Sequence, residues 1–127
     1  MIDPGHIDLL SKIADRFKAL SDVSRLRLLL ILREGPQNVN ALTQRLAMAQ
    51  AGVSKHLAVL RSAGLVDSTR DKNQIIYRVA DQRVFDMCAV VCDGVFKQIR
   101  SQQELLVGVP AIPQPAPARK VAKGASL

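Results

Sequence analysis

Aromatic side chains are nearly missing from this chain: its 127 residues hold no Trp, one Tyr and three Phe. That excludes a core built on large rings, and with 48% apolar residues the interior has to be aliphatic, as in small helical folds. A monomer of this size with such a core is marginal, which favours dimerisation. Cysteine is equally scarce. Two Cys, four residues apart, cannot make a disulfide framework, and in a reducing compartment they stand as thiols. No stretch approaches the ~20 apolar residues that span a bilayer, and the N-terminus lacks a signal-peptide pattern. A cytoplasmic protein without membrane contact is expected. Also missing are a nucleophile paired with a base, a Gly-rich phosphate loop and a catalytic metal motif, which argues against an enzyme. There is no internal repeat.

Acidic residues are the other deficit. Eleven Asp and Glu face 18 Lys and Arg, for a formal net charge of +7 and a pI near 10.0. Between Lys12 and Arg83 alone the ratio is six to thirteen, so the excess belongs to the domain and points to a polyanion as partner.

What is present is organised around Asn40 to Val79. Val53, Leu57 and Leu60 recur at i, i+4 and i+7, an apolar stripe of helical period. Ser54, Lys55, Arg61 and Ser62 lie between them, all polar and none acidic. A helix with an apolar back and a cationic, hydroxyl-bearing front suits the major groove of duplex DNA. Upstream, Val39, Leu42 and Leu46 mark a shorter helix with Asn38 or Asn40 as cap, and a turn around Met48-Ala49 joins the two. Downstream, Gly64 stops the helix. Leu65 to Arg70 and Gln74 to Val79 then alternate as two strands around Asp71-Lys72-Asn73. The expected fold is mainly α with a small β-hairpin, a winged helix-turn-helix of five helices plus wing.

Ala49-Gln50-Ala51-Gly52-Val53-Ser54-Lys55-His56-Leu57, then Leu60-Arg61 and Ala63-Gly64-Leu65-Val66, resemble the ArsR/SmtB family of bacterial transcriptional repressors. So do Phe17-Lys18-Ala19-Leu20-Ser21-Asp22 and Ser24-Arg25-Leu26-Arg27-Leu28-Leu29 upstream. The resemblance covers about the first five-sixths of the chain. It implies a homodimer, paired through its first and last helices, that binds a pseudo-palindromic operator. Two positions depart from the family pattern. Ala49 stands where the family usually places a capping Ser, and Gly52 lies within the first turn of the recognition helix; each costs ~1 kcal/mol.

The candidate DNA-binding residues follow. Gln50, Ala51, Ser54 and Lys55 occupy the first exposed turns of the recognition helix. The Gln50 amide suits an adenine edge, whereas Lys55 and Arg61 suit phosphates. His56, at the edge of the apolar stripe, either donates to a phosphate or packs against the scaffold. Arg70 and Lys72 flank the wing tip and suit a minor groove or its phosphates.

Elsewhere, Ile7, Leu10, Ile13, Ala14, Phe17 and Leu20 give the first helix an apolar seam, with Lys12, Asp15, Arg16 and Lys18 outward. Ser21-Asp22 ends that helix and caps the next. The second helix, with Leu26, Leu29, Leu30, Ile31 and Leu32, is apolar nearly all round and should be the buried centre. Its Arg25 and Arg27 suit solvent or backbone phosphates. A long last helix from about Gln82 to Leu106, capped by Asp81, carries the stripe Val84, Cys88, Val91, Val95 and Ile99. It is too apolar for one small domain to bury, and a twofold dimer is the simplest remedy. Residues 1–106 read as the DNA-binding and dimerisation domain. Residues 107–127, with Pro110, Pro113, Pro115 and Pro117 before Arg119, Lys120 and Lys123, read as a disordered basic tail.

Cys88 and Cys92 are the only soft ligands. At i and i+4 they share one helix face about 6 Å apart, where two thiolates suit a soft ion such as Zn, Cd, Pb or arsenite. Both also fit the apolar seam as plain packing residues. The family's thiolate motif on the first helix of the helix-turn-helix is absent from Asn40 to Leu46. Its Asp/His site on the last helix lacks the His here, although Asp86 and Asp93 are present and His6 stands on the first helix. A two-helix thiol sensor would want a Cys near Ile31-Leu32. The reading is a repressor released by a soft metal or thiol-reactive effector. The alternatives are a regulator with no metal site and an interaction module that has lost DNA binding.

Overall fold

A computed structural model describes residues 2–105; the proline-rich tail lies outside the described residues. Within the span read as one domain, the chain forms two compact units, the first ending at Asp81 and the second beginning at Gln82.

The first unit runs α1 (Ile7–Leu20), α2 (Val23–Arg33), β1 (Gln37–Asn38), α3 (Val39–Leu46), α4 (Gln50–Ser62), β2 (Val66–Asp71) and β3 (Gln74–Val79). Two caps set its helix starts. The Asp22 carboxylate accepts from the Arg25 N–H at 3.1 Å, and Asn38 Oδ1 accepts from the Ala41 N–H at 2.8 Å. Each satisfies one of the orphan donors of a helix N-terminus. Asn38 also donates to Gln74 Oε1 at 2.6 Å, which ties the start of α3 to the sheet.

The core is aliphatic. Leu28, Leu29 and Leu32 of α2, Leu42 and Leu46 of α3, and Val53, Leu57 and Leu60 of α4 are buried together with Ala19, Leu65 and Val66. The apolar run of α2 has a solvent side after all: Leu30 is 53% exposed, whereas Leu28 is fully buried. Along the run Leu28–Leu32 every residue is apolar, so its neighbours α1, α3, α4 and β3 decide which side turns inward. The α1 seam differs more. Ala19, outside the expected stripe, is its one buried residue, whereas Ile7 and Phe17 are exposed.

The end of α4 explains Gly64. The Leu65 N–H donates to Leu60 O at 2.9 Å and the Gly64 N–H to Arg61 O at 3.0 Å, with Gly64 at φ 77°. This is the paired-bond stop that needs a left-handed residue, and the buried Leu65 and Leu60 supply its apolar contact. Arg16 closes the same end by donating from Nε to Ala63 O at 3.2 Å. α3 ends in the same manner on Ala47, at φ 54°, where a β-carbon is strained.

The wing is a three-stranded antiparallel sheet in the order β1-β3-β2, not a hairpin alone. β1 is two residues long and pairs Gln37 with Tyr77 and Asn38 with Ile76. Asp71 belongs to β2 opposite Gln74, so the turn is the pair Lys72-Asn73, one residue shorter than expected. Lys72 takes φ 59° there.

The second unit is α5 (Val84–Leu105), introduced by a tight turn at Gln82-Arg83 in which the Phe85 N–H donates to Gln82 O at 3.2 Å. Val84 is buried; Val90, Val91 and Val95 are exposed. Among the described residues no helix is long and apolar enough to cross a membrane.

Gly64→Ala should cost about 1–2 kcal/mol, since a β-carbon is strained at this φ and would stand 3.0 Å from Arg16 Nη2. Ala47→Gly should recover up to about 1 kcal/mol for the same conformational reason. Urea unfolding of both variants measures the two effects, and equal midpoints would show that neither backbone is strained.

Candidate nucleic-acid interface

α4 shows two faces. Val53, Leu57 and Leu60 are buried, while Gln50, Ala51, Ser54, Lys55, Ala58, Arg61 and Ser62 are exposed. Those seven positions recur at the three- and four-residue spacing of one helix side. No Asp or Glu occurs anywhere between Glu34 and Asp67, so nothing on α3 or α4 offsets the cationic front. Arg45 alone is spoken for, in a two-pronged pair with Glu34 at 3.0 Å per bond. The N-terminus of α4 has no side-chain cap at Ala49, and its first N–H groups open toward Gln50 and Ala51, where the positive end of a helix favours an anion.

The wing sorts its charges by the pleat. Cross-strand partners Val66–Val79, Ser68–Tyr77 and Arg70–Ile75 share one face, and Asp67–Arg78, Thr69–Ile76 and Asp71–Gln74 the other. Both acids therefore fall on the second face, where Arg78 donates to Thr69 Oγ1 at 2.9 Å and stands 3.9 Å from Asp67. The first face meets α4. An open cleft of about 410 Å³ lies between them, lined by Ser54, Ala58, Arg61, Ser62 and Tyr77. Arg70 extends this acid-free face toward the tip, and Lys72 occupies the turn itself.

Of the expected residues, the structure brings Gln50, Ala51, Ser54, Lys55 and Arg61 onto one surface, with Arg70 and Lys72 on the adjoining wing. His56 is set apart from them. It is half-buried, its Nδ1 3.3 Å from Arg25 Nη1 and 3.9 Å from Asp22 Oδ2. Arg25, expected at solvent or phosphate, also donates from Nε to Ala19 O at 2.7 Å and from Nη2 to Lys18 O at 3.1 Å. Its guanidinium is consumed inside the fold. Arg16, expected outward, caps α4 instead. Sequence reasoning passed over Tyr77, Ser68 and Ala58. The first two had a signal, since alternation from the buried Val66 and Val79 places them on the inner face; that Tyr77 borders α4 is a tertiary fact.

On α5, Cys88 is half-buried and Cys92 exposed. Burial pushes the Cys88 thiol up, and the neighbouring Cys92 adds to the effect. Asp93 is paired with Lys97 at 3.3 Å. Among the described residues no group of three or more His, Cys, Asp and Glu is arranged to hold a metal. One chain thus offers two sulfur donors, half of a tetrahedral thiolate set.

Helix, turn, helix and sheet in this order define a winged helix-turn-helix protein. The sequence model described as "Bacterial regulatory protein, arsR family" matches residues 22–68. The transcriptional regulator KmtR of Mycobacterium tuberculosis is 34% identical over 94 residues, covering 74% of this chain and 70% of the relative. A biofilm growth-associated repressor of Agrobacterium fabrum is 37% identical over 65% of this chain and 75% of its own. The homodimeric winged helix-turn-helix DNA-binding domain Mb0332 of Mycobacterium bovis superposes with a TM-score of 0.68 at 30% identity, over 76% of this chain and 93% of that one. The chain belongs to the ArsR/SmtB family of bacterial transcriptional regulators.

The Asp22 cap makes stability depend on pH. The Arg25 N–H bond holds its carboxyl below the usual carboxylate range, helped by the charges of His56 and Arg25 and opposed by burial. A depressed folded-state pKa means the contribution is present above the unfolded value of about 4 and is lost as pH falls through the folded one. Asp22→Asn should therefore flatten the acid limb of the stability curve below about pH 4 while keeping a cap oxygen. Melting curves in that range test this, and identical acid limbs in the two proteins would contradict it.

Proposed function

We propose that this chain is a repressor that binds a pseudo-palindromic operator in duplex DNA as a homodimer, with α4 in the major groove and the wing tip on the adjacent backbone. The observation that carries this reading is the uninterrupted acid-free surface formed by the outer side of α4 and the α4-facing side of the wing. Gln50, at the open N-terminus of α4, reads a base edge. Ser54, Lys55 and Arg61 grip phosphates, and one phosphate rides in the cleft beside Tyr77. Arg70 and Lys72 hold the next stretch of backbone. Ala51 and Ala58 add no bulk, which lets the helix approach closely.

The homodimer is supported by the homodimeric relative and by unpartnered apolar side chains. Ile7, Leu9 and Phe17 on α1, and Val90, Val91 and Val95 on α5, are all exposed in the single chain. A second copy covers them, and the twofold axis matches the symmetry of the operator.

A dimer gripping ~6–10 phosphates should lose affinity steeply with salt as counterions are released. Lys55→Ala should weaken all sequences alike, whereas Gln50→Ala should blunt discrimination at one base per half-site by about 1–3 kcal/mol. Val91→Glu should place an unpaired charge in the interface and abolish both dimerisation and operator binding. Selection from a random duplex library, with sedimentation of each variant, checks these outcomes; a monomer with full operator affinity would overturn the architecture.

The release signal we assign to Cys88 and Cys92, two copies supplying four sulfurs to a soft ion such as Zn, Cd, Pb or arsenite. The raised Cys88 pKa and the two-donor count per chain favour a competing reading in which both thiols only pack. Because binding displaces thiol protons, Cd(II) affinity should rise with pH. Loading should produce sulfur-to-cadmium absorption and weaken operator binding about five- to 150-fold. Cys88→Ser and Cys92→Ser should each remove both effects. An unchanged spectrum and operator affinity would leave the pair with no part in release.

A further inference from the structure

Two arginines that lie off the acid-free surface hold the recognition helix at separate points. Arg16, on α1, donates from Nε to Ala63 O at 3.2 Å, at the C-terminal end of α4. Its Nη2 packs over Gly64, where an added β-carbon would come within 3.0 Å of it. Arg25, on α2, donates to Ala19 O and Lys18 O at the end of α1, and its third contact is His56 Nδ1, halfway along α4, at 3.3 Å. Each bond crosses between helices, and both arginines connect α4 to α1.

The Arg25 contact also decides the state of the imidazole. A guanidinium has only N–H donors and does not deprotonate in proteins. At a nitrogen-to-nitrogen contact with Arg25, His56 Nδ1 must therefore accept. A neutral ring in this contact carries its hydrogen on Nε2. Asp22 Oδ2 at 3.9 Å is beyond hydrogen-bond distance and already accepts from the Arg25 backbone N–H.

We propose that Arg16 and Arg25 are positioning residues for operator recognition, fixing the pose of α4 against α1 without touching DNA. Arg25 additionally holds His56 as the Nε2–H tautomer. This rests on the operator-binding reading. If α1 joins the two copies, the same bonds transmit dimer geometry to the spacing of the two recognition helices. Lys is no substitute: at Arg25 an ammonium lacks the rigid fork that reaches two carbonyls and a ring at once, and at Arg16 it lacks the planar Nε–H that meets Ala63 O. It does keep the charge, so Arg→Lys separates placement from electrostatics.

The experiment compares the full chain with Arg16→Lys and Arg25→Lys on a selected operator and on a scrambled duplex. Expected for each variant is a loss of about tenfold in operator affinity, the scale of a modest coupling between sites, with scrambled-duplex affinity held within about twofold because the charge is kept. Long-range proton–nitrogen spectra of free wild type should show His56 protonated at Nε2 and bare at Nδ1, and of Arg25→Lys a mixture of tautomers. That measurement on wild type needs neither DNA nor a folded variant. An Nδ1–H tautomer in wild type overturns the Arg25 assignment. An unchanged ratio of operator to scrambled affinity in the variants overturns positioning and leaves the arginines as caps. Wild type that prefers neither duplex overturns the operator reading itself, and the tautomer still decides the Arg25 contact.

Discussion

The fold depends on burying one narrow stripe of α4. Val53, Leu57 and Leu60 are fully enclosed, and at about 1.5–3 kcal/mol each they supply an appreciable part of the margin by which so small a domain is folded at all. Enclosing them requires α1, α2 and α3 on one side and β2 on the other. The same enclosure turns Gln50, Ser54, Lys55 and Arg61 outward, because a helix with one face buried has no choice about the opposite one. The buried stripe and the outward cationic face are therefore two consequences of a single constraint, the 3.6-residue period.

Electrostatics is arranged by a second constraint of the same kind. Along β2 the two acids, Asp67 and Asp71, stand four residues apart, and the pleat sends alternate residues to opposite faces. The acids go to the side with Arg78 and the hydroxyl and guanidinium to the side with α4. A polyanion approaching the cleft by Tyr77 meets Arg61 and Arg70 and no carboxylate from either element. A chain with eleven acidic residues thus presents a surface with none, by position and not by composition.

Precision of placement comes from groups that carry no sequence signature. Backbone carbonyls at Ala19, Lys18 and Ala63 accept from arginines on other helices. Every residue has such a carbonyl, so nothing in the local sequence marks these three. The arginines looked like surface charge because their own helices expose them; the acceptors lie on neighbours, in one case 47 residues away. The family resemblance led to the helices and wing that the structure shows, yet it could not say which of the surface cations are consumed within the fold.

Much was legible in the sequence. The helical stripes, the caps at Asp22 and Asn38, the stop at Gly64, the two long strands of the wing and the outward face of α4 all follow from local rules of period, capping and left-handed conformation. These act within a few residues of each other, which is why they can be read in one dimension. The strand β1, the exposed Leu30, the mostly unburied seam of α1, the bonds of Arg16, Arg25 and His56, and the place of Tyr77 in the cleft were decided only by tertiary structure. β1 is two residues long and exists because β3 offers it partners. Leu30 and Leu28 are the same residue on opposite sides of a leucine-rich helix, and the packing of α1, α3, α4 and β3 decides which side is buried. Contacts between residues distant in sequence cost chain entropy that local preference cannot foretell, and they form where the buried stripe has already brought the helices together.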